Sequence, residues 1–398
     1  MIYFDNAATT FLNEDARQAL LQNYANASSP HAIGLEAERA IKSSAKDISK
    51  ILSCQSDEII FTSGGTESNN MGLIGAALAL KAAKGKNQPL RILASNQEHP
   101  SVTGPLQYLA SLPGFEIVYA HPSDWEYNED TALVCLTQVS SETGDIFDVS
   151  SLERNKPPGV KVFMDGAQGF CKFKLPAWVD IYTFSGHKVH GPTGVGGMMV
   201  RSGLRLQPLL YGGGQQKGLR PGTENVRGIV AMAAAAKTAA KYNLQNQNVE
   251  DAQTIKKLED IKKTESIKKI ESIKNIINTL SEELEDVYIN QLEAQASSYI
   301  LNMSFVGING ETLTNALSSK GVYISMGTAC RNLKGNLKKE SALATMGISK
   351  ERAASAVRFS FSYQNTIEEA VKAKEIIKEC VELLRKATYK AINKSSRR

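Results

Sequence analysis

The sequence predicts an α/β protein: a large domain built on a mostly parallel central sheet flanked by helices, plus a smaller C-terminal α+β domain. Three observations carry this. Short β-branched and aromatic runs at 58–62, 91–95, 115–120, 132–137, 160–164, 181–184 and 197–200 alternate with helical or loop segments, the pattern of strands joined by crossovers. The chain has 398 residues, too many for one ordinary core. Beyond residue 245 the pattern changes to a lysine-rich helical stretch, then to shorter strands mixed with helices. The expected domains are 1–15, an N-terminal segment packing with the small domain; 16–245, the large domain; and 246–398, a connecting helix and the small domain.

Taken in order, residues 1–15 read as an extended lead in which Asp5–Thr10 form a polar turn. Helical spacing covers 14–26 and 34–52, with a break at Asn26–His31. The strand at Glu58–Thr62 runs into Ser63-Gly64-Gly65-Thr66-Glu67-Ser68 and then a long helix to about Lys84. A strand, a glycine turn and a helix start make a ready anion site, because bare amides and the positive end of the helix dipole face one point. Taken alone this is a weak signal, since many helices begin so without binding phosphate. Three later strand ends carry polar groups: Gln97–Pro100, Gln138–Gly144 and Asp165–Gln168. Ligands of open α/β sheets bind at such ends, so these stretches are expected to converge on one sheet edge.

The stretch Asp180–Gly197, DIYTFSGHKVHGPTGVGG, joins that edge. Its strand breaks into Ser185-Gly186-His187-Lys188 and a glycine-rich run that no regular element tolerates well. A lysine in this setting suits a Schiff-base role, its amine condensing with the aldehyde of pyridoxal phosphate. The bland alternative is a solvated surface lysine.

A second glycine-rich loop follows at 212–225, with Arg220 and Thr223, and then an alanine-rich helix to about Lys241. From Ile255 to Lys274 a lysine-rich repeat steps by six residues, so Ile255, Ile261 and Ile267 fall on different helical faces. We read it as a long, partly exposed connecting helix; its alternating glutamates argue against a nucleic-acid patch. Strands are expected at Tyr299–Phe305, Val322–Ser325 and Val357–Phe361, an amphipathic helix at Ile367–Ala387, and a frayed tail at Lys390–Arg398.

Composition narrows the class. Hydrophobic residues are 42% and charged residues 22%, a globular balance and not a disordered one. The net charge of +5 is mild and gives no footprint for nucleic acid. The start, MIYFDNAATT, lacks the basic and apolar stretches of a signal peptide, and no apolar run is long enough for a membrane span. Five cysteines without metal-ligand spacing point to reduced thiols in a cytoplasm and to no metal site.

The stretches YFDNAATT, FTSGGTESNN, EHPSV, MDGAQ, SGHKVHGPTGVGG, GGGQQKGLRPGTENV, SMGTAC and VRFSFS run in one order over nearly the whole chain. In them the chain resembles the cysteine desulfurases of the class V aminotransferase group, pyridoxal phosphate enzymes of fold type I. The resemblance implies a homodimer that converts L-cysteine to L-alanine and leaves the sulfur as a persulfide. It also implies a sulfur-acceptor protein in iron–sulfur assembly or thiolation. Carried over by position, Lys188 is the Schiff-base lysine, Asp165 pairs with the pyridinium nitrogen, Gln168 bonds the ring's phenolic oxygen, and His99 stacks on the ring and moves protons. Gly65, Thr66, Ser185 and His187 hold the phosphate, which Thr223 reaches from the partner subunit. Arg358 grips the substrate carboxylate, with Ser141 and Asn6 beside the substrate. Cys330 is the nucleophile, and nearby Arg331 and Lys334 favour its thiolate.

Two departures stand out. Ser140-Ser141 replaces the family's Asn-Asn, which puts substrate binding in doubt, and Gly214-Gln215-Gln216 replaces Gly-Gln-Glu. The lysine-rich repeat is also longer than the family's connecting helix. The competing readings are a selenocysteine lyase or another class V enzyme, and a weakened homologue with a binding role.

Overall fold

The N-terminal strand β1 (Ile2–Tyr3) is followed by helices α1 (Glu14–Leu20) and α2 (Ala32–Leu52). The computed structural model describes the chain apart from residues 86–87, 148–149, 244–254, 293–294, 328–341 and 396–398. Asn13 caps α1 by accepting from the Ala16 N–H at 2.9 Å, and His31 caps α2 by accepting from the Gly34 N–H at 3.2 Å. Helix α1 stops well before the expected residue 26. Beyond it Asn23 accepts from Arg227 Nη2 at 2.9 Å, and Asn26 turns the chain by accepting from the Ser28 N–H at 2.9 Å. Asn26 thus favours a local bond over helix, while Asn23 is held by a residue distant in sequence.

The expected alternation follows: β2 (Ile59–Thr62), α3 (Gly65–Lys84), β3 (Leu90–Ser95), α4 (Pro100–Ala110), β4 (Phe115–Ala120), β5 (Thr131–Thr137), α5 (Ser150–Asn155), β6 (Lys161–Asp165), β7 (Ile181–Ser185), β8 (Gly196–Val200) and α6 (Val226–Asn243). The remaining elements are α7 (Ile255–Asn278), α8 (Leu280–Glu283), β9 (Val287–Ile289), β10 (Ile300–Phe305), α9 (Gly310–Ser319), β11 (Val322–Tyr323), β12 (Ser325–Met326), α10 (Ala342–Thr345), α11 (Lys350–Ala354), β13 (Ala356–Ser360) and α12 (Ile367–Ser395).

These elements form two compact units, which divide the chain differently from the contiguous ranges expected. The larger comprises Thr10–Gln138 and Phe147–Lys256; the smaller comprises Met1–Thr9, Val139–Ile146 and Lys257–Arg398. The short insert Val139–Ile146 lies inside the sequence of the large domain but belongs to the smaller unit.

The larger unit holds a seven-stranded sheet in the order β2-β8-β7-β6-β5-β3-β4. Strands β3 to β7 pair in parallel, and β8 alone runs against its two neighbours. Leu133, Val134, Cys135 and Leu136 of β5 are all fully buried, as befits a strand covered on both faces. Helices α3 and α4 cover one face, packing Leu73, Ala76, Val102 and Leu106 on Ile92, Leu133 and Ile181. Because β2 and β7 both run antiparallel to β8, β2 is parallel to the rest. The carboxyl ends of β2, β3, β5, β6 and β7 therefore share one edge.

In the smaller unit β12-β13-β10-β9 form an antiparallel sheet, and β1 pairs in parallel with β11. The expected strand Val322–Ser325 is split, because its two halves pair with different strands: Val322 with Ile2, and Ser325 with Arg358. In α7 the six-residue repeat gives way to helical spacing, and Ile270, Ile273 and Ile277 are fully buried while Ile267 is only partly so. Helix α12 runs to Ser395 where a frayed tail was expected, since 388–395 contain no glycine or proline to stop it. Among the described residues no helix is long and apolar enough to cross a membrane, and no cluster of His, Cys, Asp or Glu could hold a metal.

Candidate active site

Within the larger unit the shared sheet edge carries Thr62 to Gly65, Gln97 to His99, Gln138, Asp165 and Lys188. Gly196 makes the close packing there possible. A Cβ at that position would stand 2.6 Å from the Gly64 Cα and 2.7 Å from the Phe184 oxygen, so only glycine lets β8 pass under the turn that starts α3. Lys188 is the last residue of a single 3-10 turn, Gly186–Lys188, directly after β7. The loop is pinned from the N-terminal side. Thr10 N–H donates to the His187 oxygen at 2.9 Å, and His190 N–H donates to Thr10 Oγ1 at 2.7 Å.

Helix α3 starts at Gly64 with no side-chain cap. Its first-turn amides, at Gly65 and Thr66, are thus open to an outside acceptor, and Ser185 lies beside them, its Cβ 3.7 Å from where a Gly65 Cβ would be. Glu67 in the same turn would repel an anion, but Arg220 Nε pairs with it at 3.0 Å. Burial opposes this, yet hydrogen bonds from Ser63 and Arg220 hold the Glu67 carboxyl below its ordinary range. Burial, aided by the neighbouring Lys188 charge, pushes His187 down to about 4, so it meets a ligand as a neutral imidazole near pH 7.

Asp165 is buried at the end of β6. Its two oxygens accept from neutral donors, Oδ1 from the Ala167 N–H at 2.8 Å and Oδ2 from Asn69 Nδ2 at 3.0 Å. A buried carboxylate balanced by neutral groups suits a cationic ring N–H as its further partner. Gln168 is buried on the following turn, where Gly169 and Phe170 N–H groups both donate to the Gly166 oxygen, at 2.9 and 2.7 Å. His99 caps α4: its Nδ1 accepts from the Ser101 N–H at 3.1 Å and lies 2.8 Å from Ser101 Oγ. An open helix N-terminus, a buried acid and a lysine on one edge fit pyridoxal phosphate. Thr223 is exposed on the 212–225 loop.

That loop also explains one departure. Gln216 Oε1 accepts from the Phe61 N–H on the edge strand β2 at 2.9 Å, while its Nε2 donates to Glu224 at 3.2 Å. Glutamine does both; a glutamate could not donate to Glu224.

In the smaller unit Arg358 sits on β13. Its Nη1 donates to the Ser141 carbonyl at 2.7 Å and its Nη2 to Asp5 Oδ1 at 3.2 Å. Its Nε–H is buried with no hydrogen-bond partner among the described residues, a donor that an arriving carboxylate would satisfy. Asp5 Oδ1 also accepts from Ser325 Oγ at 2.7 Å, so one oxygen ties Arg358 to β12. Ser141 thus meets Arg358 through its main chain, which any residue there would supply. Ser140 Oγ accepts from the Thr143 N–H at 3.3 Å and holds the turn. Asn6, expected beside the substrate, also anchors the N-terminal segment. Its Nδ2 donates to the Ser360 oxygen at 3.0 Å and to Asn365 Oδ1 at 3.2 Å, fastening the N-terminal strand.

Cys330 lies outside the described residues. The other four cysteines are free thiols, none of them exposed. Burial pushes Cys54 up to about 12, and it raises Cys135, Cys171 and Cys380 as well, so almost no thiolate is present on them at neutral pH.

Sequence reasoning missed Asn69 and Asp5. The signal for Asn69 was a polar side chain on the buried face of α3, beside Leu73 and Gly72; for Asp5 there was none.

The fold and the sheet-edge constellation define a pyridoxal phosphate enzyme of fold type I. Residues 2–372 match the family Aminotransferase class-V. The cysteine desulfurase IscS of Dictyoglomus turgidum is 32% identical over 417 residues, covering 99% of this chain and 99% of its own. A solved NifS-like protein superposes with a TM-score of 0.80 at 29% identity, covering 96% of this chain and 99% of its own. SspA in complex with cysteine superposes with a TM-score of 0.70 at 25% identity, covering 91% and 99%. The chain belongs to the class-V aminotransferase family.

Proposed function

We propose that the protein is a cysteine desulfurase: it converts L-cysteine to L-alanine and holds the sulfur as a persulfide on Cys330, for delivery to an acceptor protein in iron–sulfur assembly or thiolation. The observation that carries this reading is the single sheet edge on which Asp165, Lys188 and the open start of α3 meet, in a chain that matches a relative of that name over its full length. Bound pyridoxal phosphate supplies an electron sink for the substrate carbon. This chain's residues do the rest. Asp165 keeps the ring nitrogen protonated, Gln168 bonds the ring oxygen, and Gly65, Thr66, Ser185 and His187 take the phosphate. Lys188 holds the cofactor and moves a proton at Nζ. His99 would stack on the bound ring, Arg358 would orient the substrate carboxylate, and Cys330 would form the new S–S bond as the substrate C–S bond breaks. The protein acts as a homodimer in which Thr223 serves the partner's phosphate site, and it works in the cytoplasm, where its free thiols stay reduced.

The test is to incubate the purified protein with pyridoxal phosphate, L-cysteine and a thiol reductant. Alanine and sulfide should appear in equal amounts; keto-acid formation without sulfide would indicate transamination and sink the reading.

Ser141 offers a graded check. Because its contact with Arg358 is main-chain, Ser141→Asn keeps that bond and adds an amide that can both donate and accept. Cysteine binding should tighten by about 1 kcal/mol, roughly fivefold in KM. An unchanged or higher KM would mean that the site has been rebuilt around the serine.

A further inference from the structure

The sequence holds two His-Pro-Ser caps, and the structure treats them differently. At both, the serine N–H donates to the histidine Nδ1, 3.1 Å for Ser101 to His99 and 3.2 Å for Ser123 to His121. At both, the serine hydroxyl also lies beside that nitrogen, at 2.8 and 2.7 Å. Ser123 Oγ, however, donates to Asp124 Oδ1 at 2.8 Å, so its proton is committed there. Ser101 Oγ instead accepts from Asn69 Nδ2 at 2.8 Å, which leaves its own proton for His99 Nδ1. Nδ1 of His99 therefore accepts twice, and the neutral ring carries its proton on Nε2.

The second N–H of that same Asn69 amide donates to Asp165 Oδ2 at 3.0 Å, and Asn69 Oδ1 accepts from Thr183 Oγ1 at 2.5 Å. Asn69 is 1% exposed. Asp165 fixes which end of the carboxamide is which: a carboxylate only accepts, so the N–H groups point at Asp165 and Ser101 and the oxygen is turned to Thr183, whose hydroxyl donates to it. A polar side chain this deeply buried on an otherwise apolar helix face costs stability unless all its bonds are made, and here all of them lead to the candidate site.

We propose that Asn69 is a positioning residue that yokes Asp165 to His99 through Ser101, so that the acid that would pair with the cofactor's ring nitrogen and the imidazole that would stack on the ring are set by one amide. The proposal rests on the pyridoxal phosphate reading above. Asn69→Leu removes the yoke, and Thr183→Val, nearly isosteric, loosens it should the leucine variant fail to fold. Apo-protein of each is titrated with pyridoxal phosphate, the visible absorption of the bound cofactor is followed against pH, and the Tm of the apo-protein is taken alongside. Cofactor affinity should fall about tenfold in Asn69→Leu, the loss expected of one hydrogen bond to a charged group, and less in Thr183→Val. The pH midpoint of the visible band should move in both. Ser101→Ala, which removes the hydroxyl link to His99 but keeps the main-chain one and leaves Asp165 held, should keep the affinity and the band while altering the pH profile of sulfide release. Variants that lose Tm alone, with wild-type affinity and pH midpoint, would show Asn69 to be mere packing and overturn the proposal. A wild-type protein that gains no visible band with pyridoxal phosphate would overturn the cofactor reading, and the yoke with it.

Discussion

Lys188→Ala should lose turnover by about 10²–10⁴-fold, the range expected when a positioned proton-transfer group is removed. It should also lose the visible absorption of the lysine-held cofactor. Pyridoxal phosphate should still bind, because Asp165, the open start of α3 and Ser185 are untouched by the change. Borohydride treatment of wild-type protein followed by peptide mass mapping should place the cofactor on Lys188. The structure supplies a rival that makes this test sharp. Lys172 is buried, and burial pushes its amine down to about 8, which is the property sought in a lysine that condenses with an aldehyde. If the reduced adduct maps to Lys172, or if Lys188→Ala keeps the band and the turnover, the assignment of the central lysine fails.

Much of the larger unit was legible because its strands are short, apolar and punctuated by glycine and polar clusters. Residues Ile181–Ser185 and 162–165 are buried on both faces and end in loops, so each strand end announces itself. The same reasoning fails where a residue's partners come from distant sequence. Asn69 finds its three partners 32, 96 and 114 residues away, on α4, β6 and β7, and its place among apolar helix neighbours does not say which they are. The break between β11 and β12 is of the same kind. Both halves read as one strand until pairing assigns Val322 to β1 and Ser325 to β13. Val139–Ile146 follows β5 without a composition change, yet Asp145 accepts from the Leu292 N–H at 3.1 Å and Gly144 carries the Ser297 N–H at 2.8 Å, contacts that draw the segment into the smaller unit.

The departures from the family pattern read differently once side-chain and main-chain roles are separated. Position 141 serves Arg358 by its carbonyl, and position 216 serves β2 and Glu224 by an amide. The exchange at 141 removes no charged group, and the one at 216 trades a carboxylate for an amide that bonds both β2 and Glu224. The change that motivated a weakened homologue leaves the main-chain contact of position 141 with Arg358 in place.

Cys330→Ser should retain bound pyridoxal phosphate and its visible band, bind L-cysteine, and release almost no sulfide. A hydroxyl does not ionise near neutral pH and cannot hold sulfur as a persulfide, whereas a thiolate can do both tasks. The four other cysteines cannot stand in. Cys135 and Cys171 are fully buried within the larger unit, and Cys54 is held at about 12 by burial, with Glu58 adding to the shift. A thiol raised that far holds almost no thiolate near pH 7. Cys380 is buried on α12 and is raised in the same direction. Peptide mass mapping after L-cysteine treatment should accordingly find one added sulfur on Cys330 in the wild type and none in the serine variant. Full desulfurase turnover in Cys330→Ser, or added sulfur on Cys54, Cys135, Cys171 or Cys380, would remove Cys330 from the mechanism while leaving the cofactor site as described.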